Sequence, residues 1–352
     1  MKILVTGGAG FIGSALVRRL VLEEKCSVLN LDVLTYAASL ASLHSIAGDD
    51  SHKLERTNIA DFEKVLSAFL SFKPDQVIHL AAESHVDRAI EDATNFITTN
   101  VLGTFTMLEA ALTYFATLNR DAKAEFRFLH VSTDEVFGSL PSIGSFNEHS
   151  PYNPSSPYSA SKASADHLVR AWSKTYGLPT IICNASNNFG PFQYPEKLVP
   201  LTILNAAEGK AINVYKRGEH VRDWMHVDDH VDALITVLQN GKINQTYLIG
   251  TRSERTNLEI VRRICQLIDE KVGSRRFSSE SLVRFVEDRP GHDQRYSIDP
   301  TALENEFAWR PREPFDIRLE QTVDWYLDNA WWWAPLRRQY AGDRIGLRDF
   351  EV

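Results

Sequence analysis

Residues 2 to 13 read Lys2-Ile-Leu-Val-Thr6-Gly7-Gly-Ala-Gly10-Phe-Ile-Gly13. A short apolar run passes straight into a glycine-rich turn, and from Phe11 to Leu22 the apolar residues (Phe11, Ile12, Ala15, Leu16, Leu20) recur at helical spacing. The pattern predicts strand, turn, helix. Gly8, Gly10 and Gly13 satisfy GxGxxG, and Gly7, Gly10 and Gly13 satisfy GxxGxxG. Glycines suit this position because backbone amides must approach a pyrophosphate closely, at a helix start where unpaired N–H groups and the dipole favour an anion. A second strand, Ser27 to Leu31, ends in Asp32, at the about twenty-residue offset where a carboxylate takes the ribose hydroxyls of a dinucleotide. An acid there favours NAD over NADP, since it repels a 2'-phosphate.

Working outward, Lys53 to Ile59 reads as a third strand. Asp61 to Phe72 reads as a helix with Asp61 as its cap, and Asp75 to Leu80 as a fourth strand closing in the small residues Ala81 and Ala82. Asn95 to Leu118 is a long helical pattern, Phe126 to Ser132 a fifth strand, Ser156 to Tyr176 a helix, and Pro179 to Cys183 a sixth strand. Strand and helix alternating in this way predict an α/β fold, a Rossmann-type doubly wound parallel sheet with ligands beyond the carboxyl ends of its strands. After Cys183 the alternation weakens, with helices near Asp228 to Gln239 and Leu258 to Glu270 and an arginine-rich loop from Arg289 to Arg295. A dinucleotide-binding domain over 1-185, rejoined by about 220-250, is therefore expected, with a smaller mixed α/β substrate lobe over 186-330 and a tail over 331-352. Trp331-Trp-Trp333 in that tail reads as packing or an interface.

The composition narrows the function. A net charge of −8 over 352 residues argues against a nucleic-acid or anionic-membrane partner, because either needs a broad basic face to displace counterions. Cys26, Cys183 and Cys265 form no CxxC pair and an odd total, which points to neither a disulfide framework nor a cysteine zinc site. No run approaches the roughly 20 apolar residues that span a bilayer, and the first strand lacks a signal peptide's apolar core. A cytoplasmic protein is expected. His85, His130 and His226 show no metal-ligand spacing, so no metal is expected.

Two further stretches carry chemistry: Ser132-Thr133-Asp134-Glu135 at the end of the fifth strand, and Tyr158-Ser-Ala-Ser-Lys162 on a helix. Tyr158 and Lys162, four residues apart, project from one helix face. A phenol, with an ordinary pKa of about 10, is a poor base at neutral pH. An ammonium beside it, or an oxidised nicotinamide, favours the phenolate. Such a tyrosine can take a proton from a substrate hydroxyl while hydride leaves the same carbon. In an extended strand Thr133 and Glu135 face one way and Asp134 the other. The chain is therefore expected to leave the strand by Ser132 or Thr133, with Ser132 serving the backbone turn.

The glycine turn, STDE and YSASK resemble the extended short-chain dehydrogenase/reductase family. With LAAESHVDR, STDEVFGSL, SPYSASKASADHLVRAW, SNNFGPFQYPEKLVP, VRDWMHVDDH and RPGHDQRY, spread from Gly7 to Tyr296, the likeness narrows to its dTDP-glucose 4,6-dehydratases. The resemblance implies that Tyr158, supported by Lys162 and Thr133, deprotonates the sugar O4 while NAD takes the C4 hydride. Glu135 then removes the C5 proton made acidic by the new ketone, Asp134 protonates the departing C6 hydroxyl, and the hydride returns to C6. It also implies contacts to tightly bound NAD from Gly7, Gly10, Phe11, Ile12, Gly13, Asp32, Val33, Leu34, Thr35, Asn58, Ile59, Leu80, Ala81, Ala82, Thr99, Tyr158, Lys162 and Asn188. For the nucleotide-sugar it implies Ser84, Thr133, Asn187, Lys197, Leu198, Pro200, Tyr215, Arg222, Asn257, Arg289 and His292, with Arg222 and Arg289 on the pyrophosphate. The family's homodimers pack helices like those starting near Asn95 and Ser156. Asn58 stands where the family has Asp, Phe137 and Phe189 where it has tyrosines, and Lys216-Arg217 replaces a glycine-containing pair beside the expected base pocket. The alternatives are a nucleotide-sugar 4-epimerase, which leaves Asp134 and Glu135 without a task, and a dehydratase preferring UDP-glucose.

Overall fold

The structure, a computed structural model, describes residues 1–273 and 278–339. Strand β1 (Lys2–Thr6) feeds helix α1 (Phe11–Leu22) and then β2 (Ser27–Asp32) and β3 (His52–Arg56). Helix α2 (Phe62–Phe72) starts where the Asp61 carboxylate accepts the Lys64 N–H at 3.3 Å, the cap read from the sequence. It leads to β4 (Gln76–His79), a short helix α3 (Val86–Glu91) and a single turn α4 (Thr94–Phe96). The long helix expected from Asn95 is interrupted. Residues Ile97–Gly103 form a π turn before α5 (Thr104–Thr117), because the buried Asn100 side chain is tied to both backbone groups of Glu83 and to Ser161 Oγ.

After α6 (Arg120–Glu125), β5 (Arg127–Thr133) is followed at once by a 3-10 turn, Asp134–Phe137, so the strand ends where the chemistry requires. Helix α7 (Pro157–Tyr176) opens with a capping box between Ser156 and Ser159. Then come β6 (Thr180–Ala185), β7 (Asn187–Phe189), α8 (Leu198–Glu208), β8 (Ile212–Tyr215), β9 (Val221–His226), α9 (Val227–Asn240) and β10 (Thr246–Ile249). The chain closes through β11 (Glu254–Thr256), α10 (Asn257–Val272), β12 (Val283–Val286), α11 (Thr301–Phe307), α12 (Phe315–Asp328) and α13 (Ala330–Gln339).

Seven parallel strands form the main sheet in the order β10-β6-β5-β4-β1-β2-β3. The order reverses between β1 and β4, and ligands of such sheets lie outside the carboxyl ends at that switch point. Small sheets of β11-β9-β7 and β12-β8 stand apart from it. The later chain returns to the main sheet through α9 and β10, and also through Leu303 and Trp309, which share the apolar core of α1 and β1. The start of that second return, near residue 301, has no sequence signal because Phe307 reaches the core by packing on Tyr247 of β10, 5.5 Å between ring centroids. In the tail, Trp332 is buried and donates its indole N–H to Ser42 Oγ, while Trp331 is half exposed beside His44. Residues 340–352 of the expected tail lie outside the described residues.

Candidate active site

Two adjoining cavities open at the carboxyl end of the main sheet. The first, of about 730 Å³, is bounded by the turn after β1, by Asp32 at the end of β2 and by Leu80–Ala82 after β4. It is lined by Gly7, Gly10, Phe11, Ile12, Gly13, Asp32, Val33, Thr35, Asn58, Ile59, Leu80, Ala81, Ala82, Thr99, Tyr158 and Lys162, all anticipated for the dinucleotide. Gly7 has φ +73°, and a Cβ there would stand 2.8 Å from the Ala81 backbone; a Cβ on Gly13 would overlap the Gly7 carbonyl. Helix α1 carries no side-chain cap at Gly10, so its first amides face the cavity unpaired by side chains, as an anion site needs. Asp32 is held by the N–H groups of Ala9 (2.9 Å) and Leu34 (2.8 Å). These features fit a dinucleotide.

Two residues expected there lie elsewhere. Leu34 turns its side chain into the core, because its left-handed backbone (φ +58°) is used to bring its N–H onto Asp32. Asn188 lines the second cavity, where its Oδ1 meets His230 Nδ1 at 3.0 Å. Asn58 spends its side-chain oxygen on the Ala60 N–H (2.9 Å).

The second cavity, of about 250 Å³, is lined by Ser84, Asn187, Lys197, Leu198, Tyr215, Arg222, Asn257, Arg289 and His292, as expected for the substrate, and by Glu135. Pro200 is buried in the first turn of α8 and lines neither cavity, nor do Thr133 and Asp134. Phe137 and Phe189 also line neither. Phe137 stacks on Phe146 and Phe189 packs on Phe315, so the absent hydroxyls fall within apolar clusters. Lys216 and Arg217 are exposed, and the cavity wall at that strand is made by Asn213, Val214 and Tyr215 instead.

Sequence reasoning passes over Asp87 and Glu196. Asp87 ties Arg289 (2.7 Å) to Tyr215 (3.0 Å) across the second cavity. Glu196 lines both cavities and joins Tyr36 (3.2 Å) to Arg88 (3.4 Å). The DR of LAAESHVDR and the YPEK stretch were the available signals. Arg222 is buried and gives its guanidinium to the carbonyls of Val221 (2.7 Å) and Asp293 (2.8 Å), which fixes it as a rigid positive wall.

The 3-10 turn sets the two acids apart. Thr133 Oγ1, and not Ser132, supports it by accepting the Glu135 N–H at 3.3 Å, while Ser132 Oγ is drawn to Asp166 (2.9 Å). Asp134 is buried, one of its carboxyl oxygens has no partner, and burial reinforced by Glu135 and Asp223 raises its pKa well above the ordinary carboxylate range. Burial also raises Glu135, but Arg289, Arg222 and Lys197 pull it back toward the ionised form. Both are raised, but only Glu135 has three basic side chains opposing the rise, a difference of surroundings that separates neighbouring acids. Tyr158 is raised by burial and by Glu135, and the Thr133 hydroxyl opposes this. Lys162 directs its ammonium to the Val131 carbonyl (2.8 Å), with His130 Nε2 3.5 Å away, so its hydrogen bonds run behind the phenol into β5.

His220, Asp288 and His292 place possible ligand atoms within 4.8 Å of one another. Their two rings are stacked, with centroids 3.6 Å apart and planes 17° apart. In-plane lone pairs of parallel rings do not converge on a point. The trio is instead a carboxylate bonded by one histidine at each oxygen, at 3.1 and 2.7 Å.

A dinucleotide cleft with a tyrosine and lysine in its wall, adjoining a pocket that carries Lys197, Arg222 and Arg289, defines an extended short-chain dehydrogenase/reductase acting on a nucleotide-sugar. The family model described as GDP-mannose 4,6 dehydratase matches residues 4–322. A probable dTDP-glucose 4,6-dehydratase of Sinorhizobium fredii is 54% identical over 99% of each chain, and a dTDP-glucose 4,6-dehydratase of Escherichia coli 49% over 99% of each. Among solved structures, the Streptomyces venezuelae dTDP-glucose 4,6-dehydratase with NAD and TYD bound is 42% identical, covers 96% of this chain and 100% of that one, and superposes with a TM-score of 0.86. This chain belongs to the dTDP-glucose 4,6-dehydratase family.

Proposed function

We infer that the protein catalyses the NAD-dependent dehydration of dTDP-glucose to the 4-keto-6-deoxy sugar and water. The observation that carries this reading is the adjacent acid pair on the turn after β5: Asp134, buried and with its pKa raised by that burial, and Glu135, in the second cavity facing Arg222, Arg289 and Lys197. An epimerase needs neither.

NAD, held by the residues lining the first cavity, supplies a hydride acceptor and, later in the same turnover, a hydride donor. Tyr158, beside Thr133, takes the proton of the sugar O4. Once C4 is a ketone, the C5 hydrogen is acidic enough for Glu135 to remove it. Asp134 hands its proton to the C6 hydroxyl, which leaves as water, and a proton returns to C5 as C6 takes up the hydride. Arg222 and Arg289 hold the pyrophosphate, and as their charge is shared with it Glu135 gains basicity when substrate is present. Incubated separately with dTDP-glucose and UDP-glucose, the protein is expected to form the 4-keto-6-deoxy product from the thymidine nucleotide with the higher kcat/KM. A 4-epimer as the product would contradict the reading.

The reading includes a homodimer built on α5 and α7 in the cytoplasm. Ile97, Leu102, Phe105 and Tyr176 are exposed apolar side chains on these helices and the π turn before α5, and Phe105 rests edge-on against Trp172. Such a patch marks a protein contact. Sedimentation equilibrium is expected to give twice the 39.8 kDa of one chain, and Phe105→Glu to shift the population to monomer. No helix among the described residues is long and apolar enough to cross a membrane.

A further inference from the structure

Behind Lys162 lies a buried polar network to which the reaction above gives no task. His130, wholly buried on β5, presents one ring nitrogen, Nε2, to both the Lys162 ammonium (3.5 Å) and Asp166 Oδ1 (3.2 Å), so it fills the space between the two charges without bridging them by hydrogen bonds. Asp166, one helical turn beyond Lys162 on α7 and also wholly buried, accepts at its other oxygen from Ser132 Oγ (2.9 Å), Tyr152 OH (2.7 Å) and Asn184 Nδ2 (3.1 Å). A carboxylate that accepts from three donors is held ionised.

The groups facing Lys162 and Asp166 from each packed element leave one source of balancing charge. On β4, His79 bonds to Thr6 and Thr104 and is kept neutral by burial; on β5, His130 is pushed down to about 4 by burial and by Lys162. On α7 itself stand Tyr158, whose phenol is raised, and Arg170, which meets Asp166 only through the Tyr152 hydroxyl (2.7 Å). Asp134 and Glu135, on the turn after β5, act on Tyr158. Burial brings Lys162 down to about 8, and Asp166 is the group that opposes it.

We propose that Asp166, by its buried negative charge one helical turn from Lys162, is a positioning residue that keeps Lys162 an ammonium, aimed along β5, while Tyr158 accepts the O4 proton. The proposal rests on the catalytic reading above and extends it to the charge state of its lysine. The sign follows from the electrostatics: without Asp166, a buried lysine loses its proton at lower pH, and activity that needs the ammonium fails earlier as pH rises.

The test reads C4 oxidation alone, with dTDP-6-deoxyglucose, which has a hydroxyl at C4 but none at C6 to lose, by absorbance at the reduced cofactor's near-ultraviolet band across pH. Asp166→Asn is expected to move the alkaline limb of this step down by about one pH unit or more. Near neutrality and below it the rate should be much less affected, and the KM within about threefold. Lys162→Met with Asp166→Asn removes both buried charges together and so avoids an unpaired ion. Against Lys162→Met alone, it is expected to change the residual rate less than about twofold, as non-additivity through one shared partner requires. A loss with Asp166→Asn that is uniform across pH, with the limb unmoved, would overturn the proposal. So would an undiminished loss in the Lys162→Met background. A wild-type protein that leaves this sugar unoxidised at every pH overturns the catalytic reading and the proposal with it, whereas an oxidising wild type with an unmoved Asp166→Asn limb overturns the proposal alone.

Discussion

Tyr158→Phe is expected to lower kcat on dTDP-glucose by about a thousandfold, the range of a positioned proton-transfer group, while leaving nucleotide binding nearly unchanged. The phenol is in the wall of the dinucleotide cavity, and its ring is held by Val86, Ala89 and Phe96, contacts that phenylalanine keeps. Only the hydroxyl is removed. With it goes the acceptor for the O4 proton, and neither Lys162, engaged with Val131, nor Thr133, engaged with the turn, can stand in without breaking a bond already made. Titration with TDP by calorimetry against steady-state assay separates the two effects. A variant that turns over at near wild-type rate would remove Tyr158 from the base role.

The second large effect belongs to the acid pair. Glu135→Gln is expected to keep oxidation at C4 and to lose C5 exchange with solvent deuterium, with overall turnover down by about 10²- to 10⁴-fold. The amide keeps the size of the side chain and its place in the second cavity, yet cannot take a proton. Asp134→Asn divides the reaction at the next point: C5 exchange continues and water loss slows, because the amide cannot deliver the proton that buried Asp134 carries. Nuclear magnetic resonance of the recovered sugar in deuterium oxide distinguishes the two. Exchange that persists in Glu135→Gln would mean that another group is the base.

These effects could be foreseen because the relevant signals are local. The glycine turn, Asp32 and the end of β5 lie within single strand-turn units, where hydrophobic period and small residues leave few choices of backbone. The demand that Thr133, Asp134 and Glu135 serve one substrate implied a break in the strand, and the 3-10 turn supplies it. What escaped depends on contacts between distant segments. Asp87 and Arg289 are 202 residues apart in the chain, and no period or spacing relates them. Glu196 joins the two cavities only because the loop before α8 folds over Tyr36 and Arg88. The π turn depends on Asn100 finding Glu83 and Ser161, and a helix-period reading passes through it unbroken. The expectation that Ser132 serves its own turn fails because the buried Asp166 carboxylate, 34 residues away, takes its hydroxyl.

The route of one hydrogen tests the account most directly. With dTDP-glucose deuterated at C4, the two-stage chemistry built on Tyr158, Asp134 and Glu135 predicts a 4-keto-6-deoxy product carrying that deuterium at C6, with a solvent-derived hydrogen at C5. Deuterium restored to C4 of an epimerised sugar, or a 4-keto-6-deoxy product with the label lost to water, would contradict it.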